Sequence, residues 1–170
     1  TNTFVKTVNH TTYDLQVTSE QNNNYIYLNT SNTMFAKNMG IVSFESVTDT
    51  IGGLPWAYDF ATGEEHKTAI GKWFSDDGNS MNEVFVINQG VDELGESYGF
   101  VKMTIVGANT TSYTIRVANL DGTNDRTLVI NRNADLIKTQ YSLNDEEVKD
   151  IEPPKDDWHL LFTQYTDYDI

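Results

Sequence analysis

Cysteine is absent from this chain of 170 residues, and proline occurs only three times. Without cysteine there is no disulfide framework, no thiol nucleophile and no Cys-based metal site. Basic residues are also scarce. Eleven Lys and Arg stand against 25 Asp and Glu, a formal charge of −14. That argues against nucleic-acid binding, because phosphate contacts need clustered cations. It argues equally against electrostatic attachment to an anionic membrane, and no apolar run is long enough to span a bilayer. Histidine occurs three times, as His10, His66 and His159. They are far apart and form no H-x-x-x-H or H-E-x-x-H pattern, so zinc has little support. No G-x-S-x-G elbow is present, and a non-enzymatic role is expected.

What the chain does have is aromatic and β-branched residues. Tyr, Phe, Trp, Thr, Val and Ile dominate the patterned stretches, which favours strands. Residues 4–8 and 13–17 read as a strand pair with a short polar turn, and 25–28 as another strand. In the latter, Tyr25 and Tyr27 share one face, Ile26 and Leu28 the other. Residues 33–39 read as one or two helical turns closed by Gly40, and 41–44 as a strand. From Glu83 onward the pattern is clearer. Strands at 84–87, 100–106, 113–117 and 127–130, with Asp121-Gly122 as a hairpin turn, make an antiparallel meander. Residues 141–143 and 147–149 lead to Pro153-Pro154. The class is all-β, predominantly an antiparallel sheet or sandwich, with at most one short helix.

One feature recurs. In 155–165, KDDWHLLFTQY, the residues Trp158, Leu160 and Phe162 alternate on one face of a strand. A Val-Lys pair, a polar break and an alternating strand also occur at 4–17. The expectation is one domain over 1–170, with a second copy of the opening unit beginning near 146 and cut off at 170. Trp158 is then expected to be buried. The strands at 13–17 and 158–162 are expected to pair with each other or with a segment beyond the chain.

Several candidate sites have plainer explanations. Asp156-Asp157, Asp76-Asp77 and Glu64-Glu65 are adjacent pairs whose side chains point apart on a strand, unlike the facing carboxyls of a glycosidase. The loops 76–80 and 121–125 carry calcium-like Asp and Asn, but without full ligand spacing, and they fit β-turns better. Met103 reads as core. Met34 and Met39 read as packing, and Met81 sits in a loop where a thioether can reach a ligand.

The segment KDDWHLLFTQY resembles the signature of HmuY-like proteins of Bacteroidetes. The stretch TTYDLQVTSEQNNNYIYLNT looks like the same signature followed by that family's next strand. TAIGKWFSDDGNSMNEVFVINQGVDELGESYGFVKMTIV resembles its Gly-Trp segment and the strands after it. The resemblance implies an all-β, surface-exposed outer-membrane lipoprotein with an N-terminal lipid anchor, or a secreted form. Such proteins capture haem, free or from a haem-carrying host protein, and pass it to a TonB-dependent receptor. Carried onto this sequence, the axial pair would be His66 and Met81. Trp56, Tyr58 and Trp73 would form an apolar shelf, and Lys67 or Lys72 would meet the propionates. The family's histidine pattern is not matched: Ser75-Asp76-Asp77 stands where one ligand is expected. The alternative is a non-enzymatic surface β-module without haem, binding a protein or glycan through Tyr- and Asn-rich loops.

Overall fold

The computed structural model describes residues 7–157 and Tyr165. Among these residues, nine strands form two antiparallel sheets. They are β1 (Leu15–Thr18), β2 (Ile26–Leu28), β3 (Phe35–Gly40), β4 (Val84–Asn88), β5 (Phe100–Ala108), β6 (Ser112–Asn119), β7 (Arg126–Asn131), β8 (Lys138–Ser142) and β9 (Glu147–Lys149). The smaller sheet has the order β2-β1-β8-β9 and the larger β3-β4-β5-β6-β7. Helical structure among the described residues is limited to short 3-10 turns. The protein is an all-β sandwich, as its strand patterning predicts.

One core lies between the sheets. Leu15, Val17, Ile26, Leu28 and Tyr141 face it from the smaller sheet. Phe85, Ile87, Val101, Met103, Ile115 and Ile130 face it from the larger, and all are buried. Alternation supplies this face: the intervening Val84, Val86 and Ala118 point outward instead. There a second cluster forms under Phe44 and Val47. Lys102 is buried beneath it, donating to the Val47 carbonyl at 2.9 Å and lying 5.1 Å from the Phe44 ring.

Several sequence expectations change. Residues 33–39 are not helical. Thr33 takes a left-handed conformation at φ 56°, and β3 follows, paired with β4 from Phe35↔Asn88 onward. Pairing with the strongly β-forming VFVIN of β4 outweighs the weak local preference of FAKNMG. Gly40 ends this strand at a register shift, not a helix. Residues 41–44 are not a strand; Phe44–Ser46 is a 3-10 turn. The 13–17 segment has two neighbours, β2 on one side and β8 on the other, so neither pairing expected for it holds. Thr7 to Asn9 are not in a strand, and His10–Thr12 is a 3-10 turn capped by Asn9. Ile26 and Leu28 do face the core, with Tyr27 on the opposite face, where it too is buried. Trp158, His159, Leu160 and Phe162 lie outside the described residues, as does about half of the expected second copy.

Arg132 organises the polar end of the core. Its guanidinium donates to the carbonyls of Thr18, Glu20, Asn23 and Asn109 and to Asn24 Oδ1. Its Cζ stacks 4.3 Å above the Tyr113 ring. Trp73, 1% exposed, donates from Nε1 to the Asn24 carbonyl at 2.6 Å. The Asn-rich loop 19–24 is therefore held by side chains, not by a ladder.

Candidate functional site

The segment 54–69 joins the two sheets along one side. Ala57 exchanges backbone hydrogen bonds with Ala36 on the edge strand β3, and the Leu54 N–H donates to the Asn38 carbonyl. Two residues on, Asp59 reaches the edge strand β2. Its Oδ2 accepts from the Leu28 N–H at 2.8 Å, and its Oδ1 from the Ala69 N–H at 2.7 Å. Phe60 N–H then donates to Lys67 O, closing the segment on itself.

Alternation along 56–60 sends Trp56, Tyr58 and Phe60 to the opposite side from Ala57 and Asp59. The result is an aromatic row. Trp56 lies 6.0 Å from Phe100, Tyr58 meets Phe35 edge-on at 6.3 Å, and Tyr58 stacks on Phe60 at 5.5 Å. Trp56, Phe60 and Phe100 are exposed. Lys37 lies 5.5 Å from the Trp56 ring and Lys67 lies 5.7 Å from Phe60.

Phe60 also lines a cavity of about 270 Å³ against the outer face of the smaller sheet. Tyr13, Gln16, Tyr27, Lys138 and Glu152 complete its polar wall with Asp59. Register explains the grouping: Tyr27 pairs with Gln16, Gln16 with Gln140, and Thr18 with Lys138, all on one face. Glu152 folds back onto it, accepting from Gln140 Nε2 at 2.6 Å. Gln16 Nε2 donates to Tyr13 Oη at 3.1 Å. The Lys138 ammonium sits 3.6 Å from the centre of the Tyr27 ring, and among the described residues it has no ion-pair partner within 4 Å.

Burial shifts both carboxyls, the ammonium and the Tyr13 phenol here. It pushes the Asp59 carboxyl up to about 6, against the pull of its two backbone donors and of Lys138. Glu152 is raised for the same reason. Lys138 is lowered by burial, with Glu152, Asp59 and Glu65 opposing. The Tyr13 phenol is pushed up to about 12 by burial, then by Glu152 and Asp59. Perturbed groups lining one concavity are the physical mark of a candidate ligand site. Yet Asp59 is committed to two backbone N–H groups and Glu152 to Gln140. Both carboxylates therefore also hold structure.

The residues singled out from sequence fall into two groups. Trp56, Tyr58, His66 and Lys67 belong to the segment 54–69. The His66 side chain is 71% exposed, with Nε2 3.3 Å from Glu64, which also pairs with Lys67 at 2.8 Å. Lys72, Trp73 and Met81 form the other group. Met81 N–H donates to the Trp73 carbonyl, and Lys72 pairs with Asp76 at 2.5 Å. No hydrogen bond or ring contact joins His66 to Met81. Trp73 is not part of an open shelf, because its ring belongs to the sandwich core. The larger depression of about 380 Å³ beside Lys72, Phe74 and Asp76 is open to solvent, and its lysine is already paired. In the two calcium-like loops the carboxylates serve turns and ion pairs: Asp121 accepts from Thr123, and Asp125 binds Arg116.

Asp59, Lys138, Glu152 and Tyr13 are not legible as site residues in the sequence. The one available signal is a single acid inside the run of alternating aromatics at 56–60. The geometry defines a β-sandwich with an exposed aromatic row leading to a polar cavity. The chain matches no family model, no curated protein and no solved structure.

Proposed function

We propose that this domain is a non-enzymatic binding module that takes a neutral carbohydrate along its aromatic row. The observation that carries this reading is the row itself, in which Trp56, Tyr58 and Phe60 share one face with Phe35 and Phe100. Pyranose rings present C–H faces that stack on such rings, while their hydroxyls need polar groups at the margins. Lys37, Lys67 and the cavity beneath Phe60 supply those groups. The charge of −14 disfavours an anionic partner and leaves a neutral one unopposed. Binding of the intact chain to an array of neutral oligosaccharides tests it. Trp56→Ala should weaken binding roughly tenfold with unchanged thermal stability, since an exposed aromatic anchor carries affinity and not fold. Absence of any oligosaccharide signal would sink the reading.

A second reading follows from the resemblance to HmuY-like proteins: haem capture at the outer membrane, with His66 as an axial ligand and delivery to a TonB-dependent receptor. The exposed imidazole of His66, beside Lys67 and Phe60, favours it. Met81 and Trp73 lend it no support from their positions. The cavity is below the roughly 300–1,000 Å³ usual for drug-sized ligands, so a macrocycle would have to lie on the surface. A haemin titration decides: a shifted Soret band altered by His66→Ala supports it, and no shift in either redox state removes it.

A further inference from the structure

We infer that the cavity under Phe60 takes one neutral pyranose unit, the terminal sugar of the chain whose body lies on the aromatic row. This rests on the carbohydrate reading and adds an end-recognition site to it. Size is the first argument. About 270 Å³ is far more than the ~30 Å³ that one water occupies in the liquid, and it falls just short of a drug-sized pocket. A single six-membered ring with its hydroxyls is the ligand of that scale.

The lining is the second argument. The Tyr27 and Phe60 rings bound the space, with polar groups between them. The Lys138 ammonium has three N–H donors and lies against the Tyr27 ring, with no hydrogen-bond acceptor among the described residues. Behind the lining, Gln140 Nε2 donates to Glu152 and fixes its carboxylate. Asp59 and Glu152 each present carboxylate oxygens with lone pairs beyond those already used. Hydroxyl groups both donate and accept, so a polyol satisfies donors and acceptors of this wall together. Pure cations or anions satisfy only half of it.

Charge is the third argument. Two carboxylates and one ammonium give the wall a net negative charge when all are ionised. A sugar acid is then repelled where a neutral hexose is not. The cavity should discriminate against uronic acids of the same size.

The test uses the whole chain with glucose, galactose, mannose and glucuronate as probes, read by saturation-transfer NMR and calorimetry. An oligosaccharide that binds the array is titrated in parallel. Ala61 lies on the exposed turn at the cavity's rim, so Ala61→Trp fills the opening without touching the buried wall. Lys138→Met removes the ammonium and keeps the stem. At least one neutral hexose should bind, glucuronate should not, and both variants should weaken hexose binding more than tenfold. Trp56→Ala should weaken the oligosaccharide. If Lys138→Met fails to fold, Ala61→Trp alone carries the test. Hexose binding that survives Ala61→Trp overturns the inference. So does oligosaccharide binding that depends on Trp56 while no monosaccharide binds, and in that case the carbohydrate reading stands. No binding of either kind overturns both.

Discussion

Asp59 should make this protein more stable in mild acid than at neutral pH. The carboxyl is buried, and its pKa rises from 3.8 to about 6 in the fold, chiefly through desolvation. A raised carboxyl pKa means that the folded state holds its proton more tightly than the unfolded chain. Stability from this group is then fully present below the unfolded value and is lost as pH rises through the folded one. Each tenfold gain in proton affinity corresponds to about 1.4 kcal/mol, so complete ionisation costs the fold on the order of 3 kcal/mol. Between about pH 7.5 and about pH 5, Asp59 alone should return about 1 kcal/mol. Asp14 and Glu152 are also raised by burial and act in the same direction.

The perturbation is Asp59→Asn. Asparagine resembles the protonated carboxyl in shape and charge, and it does not titrate. Its amide nitrogen leaves either Leu28 or Ala69 without an acceptor, a loss of roughly 1–3 kcal/mol for a buried donor. Relief of the buried charge offsets part of that near neutrality and little of it in acid. Urea unfolding at the two pH values, followed by fluorescence of the buried Trp73, measures both effects. Wild type should gain stability on acidification by about 1 kcal/mol more than the variant. The exposed carboxylates with lowered pKa, such as Asp76, Asp125 and Asp145, give up their contributions only as pH falls through their own folded values. Those lie below the window used. Equal pH slopes for variant and wild type would refute the reasoning.

Other changes report on the frame around the site. Arg132→Ala removes five hydrogen-bond donations and the stack on Tyr113, and should cost roughly 2–4 kcal/mol in urea unfolding, with Arg132→Lys recovering little. Gly90→Ala places a Cβ 1.7 Å from the Asn32 carbonyl oxygen at a φ of +79°. It should lower the thermal midpoint by well over the effect of an ordinary surface change, because backbone must move and strain is added. Trp73→Phe leaves the Asn24 carbonyl without its donor and opens space in the core; a loss of about 2–3 kcal/mol is expected by the same assay.

The strands from β4 to β7 are legible in the sequence, β4 as an apolar run and β5 to β7 by their alternation, with turns such as Asp121-Gly122 between them. β3 is not. Met34, Phe35, Met39 and a following Gly40 imitate a short capped helix, and only the partner strand VFVIN decides otherwise. The site is legible in half. Trp56, Tyr58 and Phe60 alternate visibly, and the structure keeps them on one face. The cavity wall is assembled from residues whose contacts span large separations, Leu28 with Asp59 and Tyr27 with Lys138. No local period encodes such meetings, and nothing in a −14 chain marks Asp14, Asp59 and Glu152 among its 25 acids as the ones to be buried. Trp73 misleads for the converse reason: an aromatic in a loop-like stretch gives no local sign that its ring turns inward, away from any ligand shelf.

The segment 54–69 also shows why function should gather there. β2 and β3 are the edge strands of their sheets on one side of the sandwich, and exposed edges invite pairing with other chains. This segment closes both. Its backbone zips onto β3 at Ala36 and Asn38, and Asp59 takes the outward N–H of Leu28 on β2. A loop anchored at both sheets cannot drift, so the rings it carries hold a fixed spacing without belonging to a strand. The anchor is a buried carboxylate whose ionisation opposes folding. An asparagine would bury no charge, but its amide accepts from Leu28 or from Ala69 and not from both. A carboxylate offers two acceptor oxygens and takes both N–H donors at once, which ties the segment to β2 and to its own far end.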